Sequence, residues 1–402
     1  MATSTLVSLP IPTETDYFSF LIDQAVQHDF SVALWRLPKD PKKYLLISKQ
    51  HEFLKFTASL EDLPAGFIFA PFDTSANRIF LKADFYFSFS NGLLDPPLTP
   101  GEITSRTWLD SLLLNKRTST KKPMVYFKSN TEETTTDRNF FLRLIEGGIN
   151  EIEQGTFEKI VVSRKHPVDL SQDFDISLTF QKLCDLNPHA LISFVSIPET
   201  GSWLGASPEL LVSVENKKTF RTTALAGTQL YTEGTNLKMV AWTQKDIEEQ
   251  ALVERYIISC FKKIRLREYE EHGPRTVIAG NVMHLKSDFT VDMHATNFPQ
   301  LGSVMLQLLH PTSAVCGVPL DTALEFLHKH EGYNRQFYTG YLGPVNFNND
   351  IHIFVNLRCL QLMESKAILY AGAGITQDSI PEKEWEETEL KLNTLLNVID
   401  QP

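Results

Sequence analysis

The sequence predicts an α+β fold, or a complex mixed sheet, rather than a doubly wound parallel fold. The first ninety residues consist of short apolar and aromatic runs separated by turn residues, which is typical of β-structure. From residue 137 onward, helix and strand patterns alternate without the regular period of strand-helix-strand units. The 402 residues, 42% hydrophobic and 22% charged, can bury a large core, although the length alone suggests two or three domains.

The first part of the chain is predicted to be β-rich up to residue 90 and irregular after it. Residues 32–37 and 44–47 predict a hairpin, and residues 78–89 have strand composition with partial alternation. The segment 91–136 combines Pro, Gly, Thr and charged residues, so we expect a loop or insertion there, the one plausible linker. Its basic residues between 116 and 122 indicate a solvated loop rather than an anion site.

Residues 137–399 predict a mixture of helices and strands. Asp137 has the side chain of a helix N-cap, and Thr243 and Asp246 have the spacing of a capping box. The last helix begins near Ser379, where a cap, an early proline and a capping-box glutamate occur together. The predicted elements in chain order are a helix behind Asp137, a strand at 159–164, a helix at 178–186, a strand at 190–197, a short antiparallel succession at 203–206, 210–214 and 219–223, a helix at 243–265, strands at 351–361 and 367–373, and the last helix.

The charge and the cysteine content exclude several classes of function. The chain has 38 Lys and Arg against 49 Asp and Glu, a net charge of -11, so nucleic acid is not an expected partner. The four cysteines stand far apart, which argues against a disulfide framework and a structural zinc site. The first ten residues lack a signal-peptide pattern, and no run of about eighteen apolar residues occurs. These features predict a soluble cytoplasmic protein without a membrane partner.

Two predicted helices begin with paired carboxylates. Asp246 and Glu249 are three residues apart on one helix, and Glu384 and Glu387 repeat that spacing on the last helix, with Lys391 one turn further. Acidic residues in a first turn complement the helix dipole, which explains them without any ligand. The alternative is that the two faces oppose each other across a hard divalent cation such as Mg²⁺, some carboxylates ligating directly and others holding its waters.

A glycine-rich run, Ala-Gly-Ala-Gly-Ile at 371–375, lies between a predicted strand and a predicted helix. It lacks the third glycine of a dinucleotide fingerprint and the Gly-Lys-Ser/Thr of a P-loop, which argues against nucleotide binding. Its backbone N–H groups would suit a carboxylate. Close backbone packing at a strand end explains the glycines equally well.

Four further polar residues lie in or beside apolar strands. Lys159 would either reach solvent or, if buried beside a cation, lose its proton and act as a base. Glu209 lies in a turn before a strand, where a carboxylate is by default a cap or solvated. A buried Arg358 would need an anion, whereas a buried His284 would ordinarily be a hydrogen-bonded core residue.

Eight short motifs occur in one order between about residues 137 and 399. They are Glu158-Lys-Ile-Val-Val-Ser-Arg164, Leu204-Gly-Ala-Ser-Pro-Glu-Leu-Leu211, Ala224-Leu-Ala-Gly-Thr228, Lys245-Asp-x-x-Glu249, His310-Pro-Thr-Ser-Ala-Val-Cys-Gly317, Arg335-x-x-Tyr-x-Gly340, Ala371-Gly-Ala-Gly-Ile375 and Glu384-Trp-x-Glu387 followed by Lys391. Their order and wording resemble the chorismate-utilising enzymes, which include isochorismate, salicylate, anthranilate and aminodeoxychorismate synthases. The resemblance implies one large unit, 1–402, of packed antiparallel sheets with helices outside and a variable β-rich part at 1–90.

The resemblance also implies a reaction. Members that use ammonia typically carry glutamine at the position of Lys159, whereas those that add water carry lysine, so water is the implied nucleophile. The wording of residues 310–317, with Ala314 lining the substrate pocket, is closer to isochorismate synthases than to salicylate synthases. The implied activity is a Mg²⁺-dependent isochorismate synthase, with chorismate as substrate, that supplies menaquinone or siderophore biosynthesis. The alternatives are a salicylate synthase, which goes on to eliminate pyruvate, and a non-catalytic chorismate-binding protein.

The same resemblance implies catalytic and metal-binding roles. Lys159, kept neutral by burial and nearby cationic charge, would deprotonate the water that attacks C2 of the ring. Glu209, protonated, would donate to the departing C4 hydroxyl. The carboxylates that would hold Mg²⁺, the first two directly and the others mainly through water, are Glu249, Glu387, Asp246 and Glu384.

The implied substrate contacts come from separate segments of the chain. Arg358, Tyr338 and the backbone at Gly372 would hold the enolpyruvyl carboxylate. The remaining contacts are a close backbone approach at Gly227, a positive charge from Lys391 near the metal and a positioning role for His284.

One residue departs from the family pattern. Gln250 stands where the family often has histidine, which would loosen a contact behind the site but removes no proposed ligand. No strong apolar surface helix indicates an obligate partner, so we expect a monomer or a weak homodimer.

Overall fold

Two large antiparallel β-sheets form the centre of the protein. The computed structural model describes residues 12–115, 126–129, 131 and 134–399. The first ten residues and the basic residues between 116 and 122 lie outside the described residues. Within the described part, one sheet has ten strands and the other has nine. The predicted α+β class, with mainly antiparallel sheets and helices outside them, is confirmed.

The ten-stranded sheet combines strands from both ends of the chain. Its spatial order is β15 (Gly317–Val318), β8 (Lys159–Asp169), β19 (Lys366–Ile375), β18 (Cys359–Leu362), β10 (Gly201–Ser207), β9 (Leu191–Ile197), β1 (Ser31–Arg36), β2 (Lys43–Ser48), β6 (Phe85–Ser90) and β7 (Leu93–Leu94). The long pair β8 and β19 places Ser163 opposite Gly372.

The nine-stranded sheet also mixes early and late strands. Its order is β13 (Glu270–Ala279), β14 (Val282–Asp292), β12 (Thr219–Leu230), β11 (Leu210–Glu215), β17 (Asp350–Val355), β16 (Tyr341–Phe347), β4 (Gly66–Ala70), β5 (Arg78–Lys82) and β3 (His51–Leu54). A short 3₁₀ turn, Leu237–Met239, follows β12.

Helices cover the outer faces of the sheets. The described helices are α1 (Glu14–Gln27), α2 (Pro100–Asn115), α3 (Arg138–Glu153), α4 (Ile176–Leu186), α5 (Gln244–Lys263), α6 (Leu301–Leu309), α7 (Leu320–His330) and α8 (Pro381–Ile399). Among them, α1, α4 and α8 pack on the ten-stranded sheet, whereas α5 and α6 pack on the nine-stranded sheet. In the part of the chain that the structure describes, no helix is both long and apolar enough to cross a membrane.

Strand β1 shows how the layers are built. Successive strand side chains point to opposite faces, so Val32 and Leu34 join the core beneath the helices. Ala33 and Trp35 point the other way, into a core that includes Phe67 of β4 and therefore lies between the two sheets. This two-sided burial explains why the strand reads as a continuous apolar run.

Several predicted local elements are confirmed. Residues 32–37 and 44–47 form the antiparallel pair of β1 and β2. Asp137 caps α3 with its side chain, and Thr243 and Asp246 form the capping box of α5. Local sequence signals therefore identified these boundaries correctly.

The predicted partners of some strands are wrong. Within the predicted succession 203–223, β10 belongs to the ten-stranded sheet, whereas β11 and β12 pair in the other sheet. Residues 78–89 and 351–361 likewise each contain two strands that belong to different sheets. These strands are β5 and β6 in the first stretch and β17 and β18 in the second. The segment 91–136, expected to be loop or insertion, contains the 16-residue helix α2. Alternation and composition indicate strand character, but they do not report which sheet a strand joins after a short turn.

Candidate active site

A cleft brings together most of the residues singled out from the sequence. It contains about 650 Å³ of empty space, including the part open to solvent, and both sheets, α5 and α8 supply its walls. The predicted site residues that line it are Glu209, Gly227, Glu249, His284, Ala314, Tyr338, Arg358, Gly372, Glu387 and Lys391. The other predicted residues, Lys159, Asp246 and Glu384, are buried. The cleft thus gathers polar and charged side chains from both sheets and two helices.

Glu209 lies in the turn between β10 and β11 and is buried. Its Oε1 accepts a hydrogen bond from Thr312 Oγ1 at 3.5 Å. Burial raises the pKa of Glu209 to about 8, against opposing effects of Lys159 and the Thr312 hydrogen bond. A carboxyl with this pKa is largely protonated at neutral pH, so it can donate a proton.

Lys159 begins β8 and is fully buried, so the alternative of a lysine that reaches solvent is wrong. Its Nζ lies 2.9 Å from Glu249 Oε1. Burial acts to raise the pKa of Glu249, but Lys159 and Lys245 outweigh burial and hold that pKa below its ordinary value. The nearest charged partner of Lys159 is therefore an anion, not the cation that the resemblance implied.

Arg358 carries a buried positive charge without a carboxylate partner among the described residues. Its guanidinium contacts His284 Nε2 at 3.3 Å, Lys391 O at 3.5 Å and Thr394 Oγ1 at 3.4 Å. Burial lowers the pKa of Arg358 to about 10, which still leaves it charged at neutral pH. A buried cation at the wall of a cleft favours an anionic ligand.

His284 orients this guanidinium. Its Nδ1 lies 2.6 Å from the carbonyl oxygen of Gly227, so this nitrogen carries the hydrogen and leaves Nε2 as the acceptor for Arg358. Burial and the charge of Arg358 lower the pKa of His284 to about 3, so the imidazole is neutral. His284 thus connects the backbone of β12 to the cationic side chain.

Two glycines of the 371–375 run let other groups approach the backbone. A Cβ on Gly372 would lie 3.0 Å from Tyr338 Oη, and a Cβ on Gly374 would lie 2.3 Å from Glu249 Oε1. The run lies within β19, not between a strand and a helix as predicted. Close packing therefore accounts for both glycines.

The four carboxylates predicted to hold Mg²⁺ each have a protein partner. The pairs are Glu249 with Lys159 at 2.9 Å, Glu387 with Lys391 at 2.6 Å, Glu384 with Lys245 at 2.5 Å, and Asp246 with Thr243 Oγ1 at 2.6 Å. Among the described residues, no group of three or more His, Cys, Asp or Glu side chains is arranged to hold a metal ion. Three of the carboxylates are thus paired with lysines, and the fourth belongs to the capping box of α5.

The chemistry of these side chains nevertheless fits a hard divalent cation, because all four supply carboxylate oxygens. Glu384 Oε2 is buried without a hydrogen-bond partner, and burial raises the pKa of Glu384 to about 7. Burial acts to lower the pKa of Lys245, but Glu384, Glu249 and Glu387 raise it well above its ordinary value. One ammonium group therefore sits in the field of three carboxylates.

Sequence reasoning missed three residues of the site. Lys245 and Thr312 lie inside two of the eight motifs, where no role was assigned to them. Tyr370 directly precedes the glycine run, lines the cleft and stacks on Tyr338 with ring centroids 5.1 Å apart. A polar residue inside a motif was the available signal for Lys245 and Thr312.

Comparison with known proteins identifies the family. The family profile described as chorismate binding enzyme matches residues 67–400. The chain belongs to the chorismate binding enzyme family. Membership in this family accounts for the order of the motifs and for the cleft in which they meet.

Curated relatives share moderate identity with the chain. Isochorismate synthase EntC of Escherichia coli K12 is 28% identical over 247 residues, 60% of this chain and 62% of EntC. Isochorismate synthase DhbC of Bacillus subtilis is 30% identical over 267 residues, 63% of this chain and 66% of DhbC. Anthranilate synthase component 1 of Acetivibrio thermocellus is 26% identical over 305 residues, 71% of this chain and 58% of that protein. The chain thus spans roughly three fifths of the length of these relatives.

Two solved structures show the same fold. DhbC of Bacillus anthracis matches with a TM-score of 0.73 at 23% identity, over 94% of this chain and 99% of that structure. The menaquinone-specific isochorismate synthase MenF of Escherichia coli matches with a TM-score of 0.72 at 22% identity, over 94% and 90% of the two chains. At these identities the likeness concerns the fold alone.

Proposed function

We propose that the protein is an isochorismate synthase that interconverts chorismate and isochorismate. One observation carries the proposal: the cleft is lined by a buried, protonatable carboxyl, Glu209, and the charge of Lys159, buried and paired with the cleft-lining Glu249, acts on that carboxyl. Relatives at about a quarter to 30% identity are named isochorismate synthases, which supports this choice. Lysine at position 159, rather than the glutamine of ammonia-using members, favours water as the nucleophile.

The two side chains supply the acid and the base that the reaction needs. Glu209 donates its proton to the C4 hydroxyl, which leaves as water while the ring double bonds shift. Lys159 accepts a proton from the water that adds at C2 as a neutral amine, so its ion pair with Glu249 would first open and the ammonium would release its proton to water. General acid-base catalysis by each group is worth about 10²- to 10⁴-fold in rate. In the reverse direction the two side chains exchange roles.

The substrate is an anion, and its recognition follows from the charges of the cleft. Arg358 and Tyr338 would bind the enolpyruvyl carboxylate, since Arg358 has no carboxylate partner among the described residues. His284 keeps the guanidinium in place and stays neutral, so it adds no second charge there. The backbone at Gly372 completes this contact.

Mg²⁺ is the proposed cofactor, held directly by Glu249 and Glu387 and, mainly through water, by Asp246 and Glu384. The unpartnered Oε2 of Glu384 and the carboxylate donors support this assignment. When bound, the ion would supply positive charge for the ring carboxylate of the substrate. The lysines that now pair with these carboxylates would have to exchange partners.

Strands before residue 91 contribute to both sheets, so we propose that the described residues act as one catalytic unit. The isochorismate would supply menaquinone or a siderophore, as in the menaquinone-specific and vibriobactin-specific relatives.

Incubating the purified protein with chorismate and Mg²⁺ and separating the products tests the proposal. Isochorismate in equilibrium with chorismate is the expected result. Salicylate formed without an added lyase would instead identify a salicylate synthase. Unchanged chorismate under all Mg²⁺ concentrations would identify a binding protein without this activity.

A further inference from the structure

A second ionic pair, Arg335 with Glu331, is buried just behind the cleft. The residues are 2% and 3% exposed, and neither lines the cleft. Arg335 Nε and NH2 donate to the two carboxylate oxygens of Glu331, both at 2.6 Å. A buried ion pair of this kind is weak evidence for a stabilising role, because desolvation offsets much of the attraction. Its other contacts are therefore the informative ones.

The guanidinium of Arg335 uses all five of its N–H groups. Besides the two bonds to Glu331, NH2 donates to the carbonyl oxygen of Val161 at 2.7 Å. NH1 donates to the carbonyl oxygen of Val315 at 2.7 Å and to Thr339 Oγ1 at 3.3 Å. Val161, Val315 and Thr339 all line the cleft, and they come from three separate segments of the chain. One planar group thus connects three walls of the site.

Each of these segments carries a residue of the proposed chemistry. Val161 is two residues after Lys159 on β8, so the two side chains share a face of the strand. Val315 lies in the same short segment as Thr312, the hydrogen-bond partner of Glu209. Thr339 follows Tyr338 and donates its hydroxyl to the carbonyl oxygen of Tyr338 at 2.6 Å.

Glu331 adds a second attachment to β8. Its Oε1 accepts hydrogen bonds from the backbone N–H and the hydroxyl of Ser163, both at 2.7 Å. Ser163 lies opposite Gly372 in the pairing of β8 and β19. The pair is therefore attached to β8 at two points, Val161 and Ser163, on either side of one residue.

We propose that Arg335 and Glu331 are positioning residues that set the distance between the base Lys159 and the acid Glu209. The inference rests on the proposed function. Only arginine offers a rigid fork that can hold two carbonyls, a hydroxyl and a carboxylate at once. Lysine keeps the charge but loses the fork, so β8 and the 312–315 segment would move relative to each other. Displacements of about 1 Å in an active site can cost on the order of 10²-fold in rate.

The test compares Arg335→Lys with a matched control, Arg36→Lys. Arg36 is also buried, at 4% exposure, and donates to the backbone carbonyls of Leu37, Cys184, Asn187 and Pro188, none of which lines the cleft. Both variants lose a buried fork, so both should lower the melting temperature. Well below both melting temperatures, Arg335→Lys should lower kcat by about 10- to 100-fold with KM changed by less than about threefold. Arg36→Lys should leave kcat within about twofold of the native value.

A milder variant keeps the test decisive if Arg335→Lys does not fold. Ser163→Ala removes one hydrogen bond to Glu331 and leaves the backbone bond in place, and it should lower kcat a few-fold at unchanged KM. If Arg335→Lys, or Ser163→Ala in its place, retains the kcat of Arg36→Lys while the native protein converts chorismate, the positioning role is wrong and the proposed function stands. If the native protein does not convert chorismate, both proposals fall.

Discussion

Two glutamates that line the cleft, the buried Glu209 and the half-buried Glu249, have pKa values shifted in opposite directions. Glu209 has one weak hydroxyl contact at 3.5 Å, and burial raises its pKa to about 8. Glu249 lies 2.9 Å from Lys159, and the two lysines around it keep its pKa low despite burial. Burial outweighs the nearby cationic charges at Glu209, whereas the two lysines outweigh burial at Glu249. The same cleft thus has one carboxyl that favours its proton and one carboxylate that is paired with a lysine.

The largest expected effect comes from removing Lys159, whose charge acts on both glutamates. Lys159→Ala should lower kcat by about 10²- to 10⁴-fold, because it removes the proposed base. Steady-state kinetics with chorismate measure the loss.

Lys43→Ala is the matched control for that variant. Lys43 is also buried and paired with a glutamate, Glu14, at 2.5 Å, but it lies on β2 outside the cleft. The kcat of Lys43→Ala should stay near the native value. Equal losses in the two variants would show that Lys159 matters for folding only.

The next effect concerns the paired carboxylates. Glu387→Gln should raise the Mg²⁺ concentration for half-maximal rate by at least about tenfold, since it removes one charged ligand. Glu386→Gln is the control, because Glu386 is exposed on the same helix. Titrating Mg²⁺ by calorimetry and by rate separates binding from catalysis, and equal Mg²⁺ affinity in both variants would refute ligation by Glu387.

A smaller effect isolates the proton on Glu209. Its pKa rises from 4.5 to about 8 on folding, so the folded protein binds more protons than the unfolded chain in that range. The free energy of unfolding should therefore fall as pH rises from about 4.5 to 8, by on the order of a few kcal/mol. Glu209→Gln should remove this slope while lowering kcat. Urea denaturation from pH 5 to 9 measures it, and parallel curves for the two proteins would show that Glu209 is ionised throughout.

The smallest expected effect concerns the hydrogen bond from Thr312 to Glu209. Thr312→Val removes the hydroxyl that lowers the pKa of Glu209, so that pKa should rise by a fraction of a unit. The alkaline limb of the rate profile should move to higher pH in this variant. A shift to lower pH would mean that Thr312 does not stabilise the carboxylate form.

Much of the local structure could be predicted, because its causes are local. The cap at Asp137 and the capping box of Thr243 and Asp246 depend on side chains within one helical turn. The assignment of β10 and β11 to different sheets could not be predicted, because both strands are apolar and the turn between them is short. The helix α2 was missed because its flanking prolines and threonines resemble a loop.

The candidate site divides in the same way. The ordered motifs contain cleft-lining residues such as Glu209, and the resemblance that they carry also implied roles for Arg358 and His284, which lie in apolar runs outside the motifs and line the cleft. The motifs did not reveal that Glu249 pairs with Lys159 or that Lys245 lies among three carboxylates, since these partners are brought together by α5, α8 and β8. The five hydrogen bonds that Arg335 donates could not be predicted for the same reason.

By itself, the sequence determined the α+β class, the helix caps, the family and the residue types that the chemistry needs, because these depend on local pattern and side-chain identity. Only the tertiary structure decided which acid keeps its proton, which lysine pairs with which carboxylate and how Arg335 connects three walls of the cleft. The physical reason is that desolvation and charge pairing depend on neighbours contributed by distant segments of the chain.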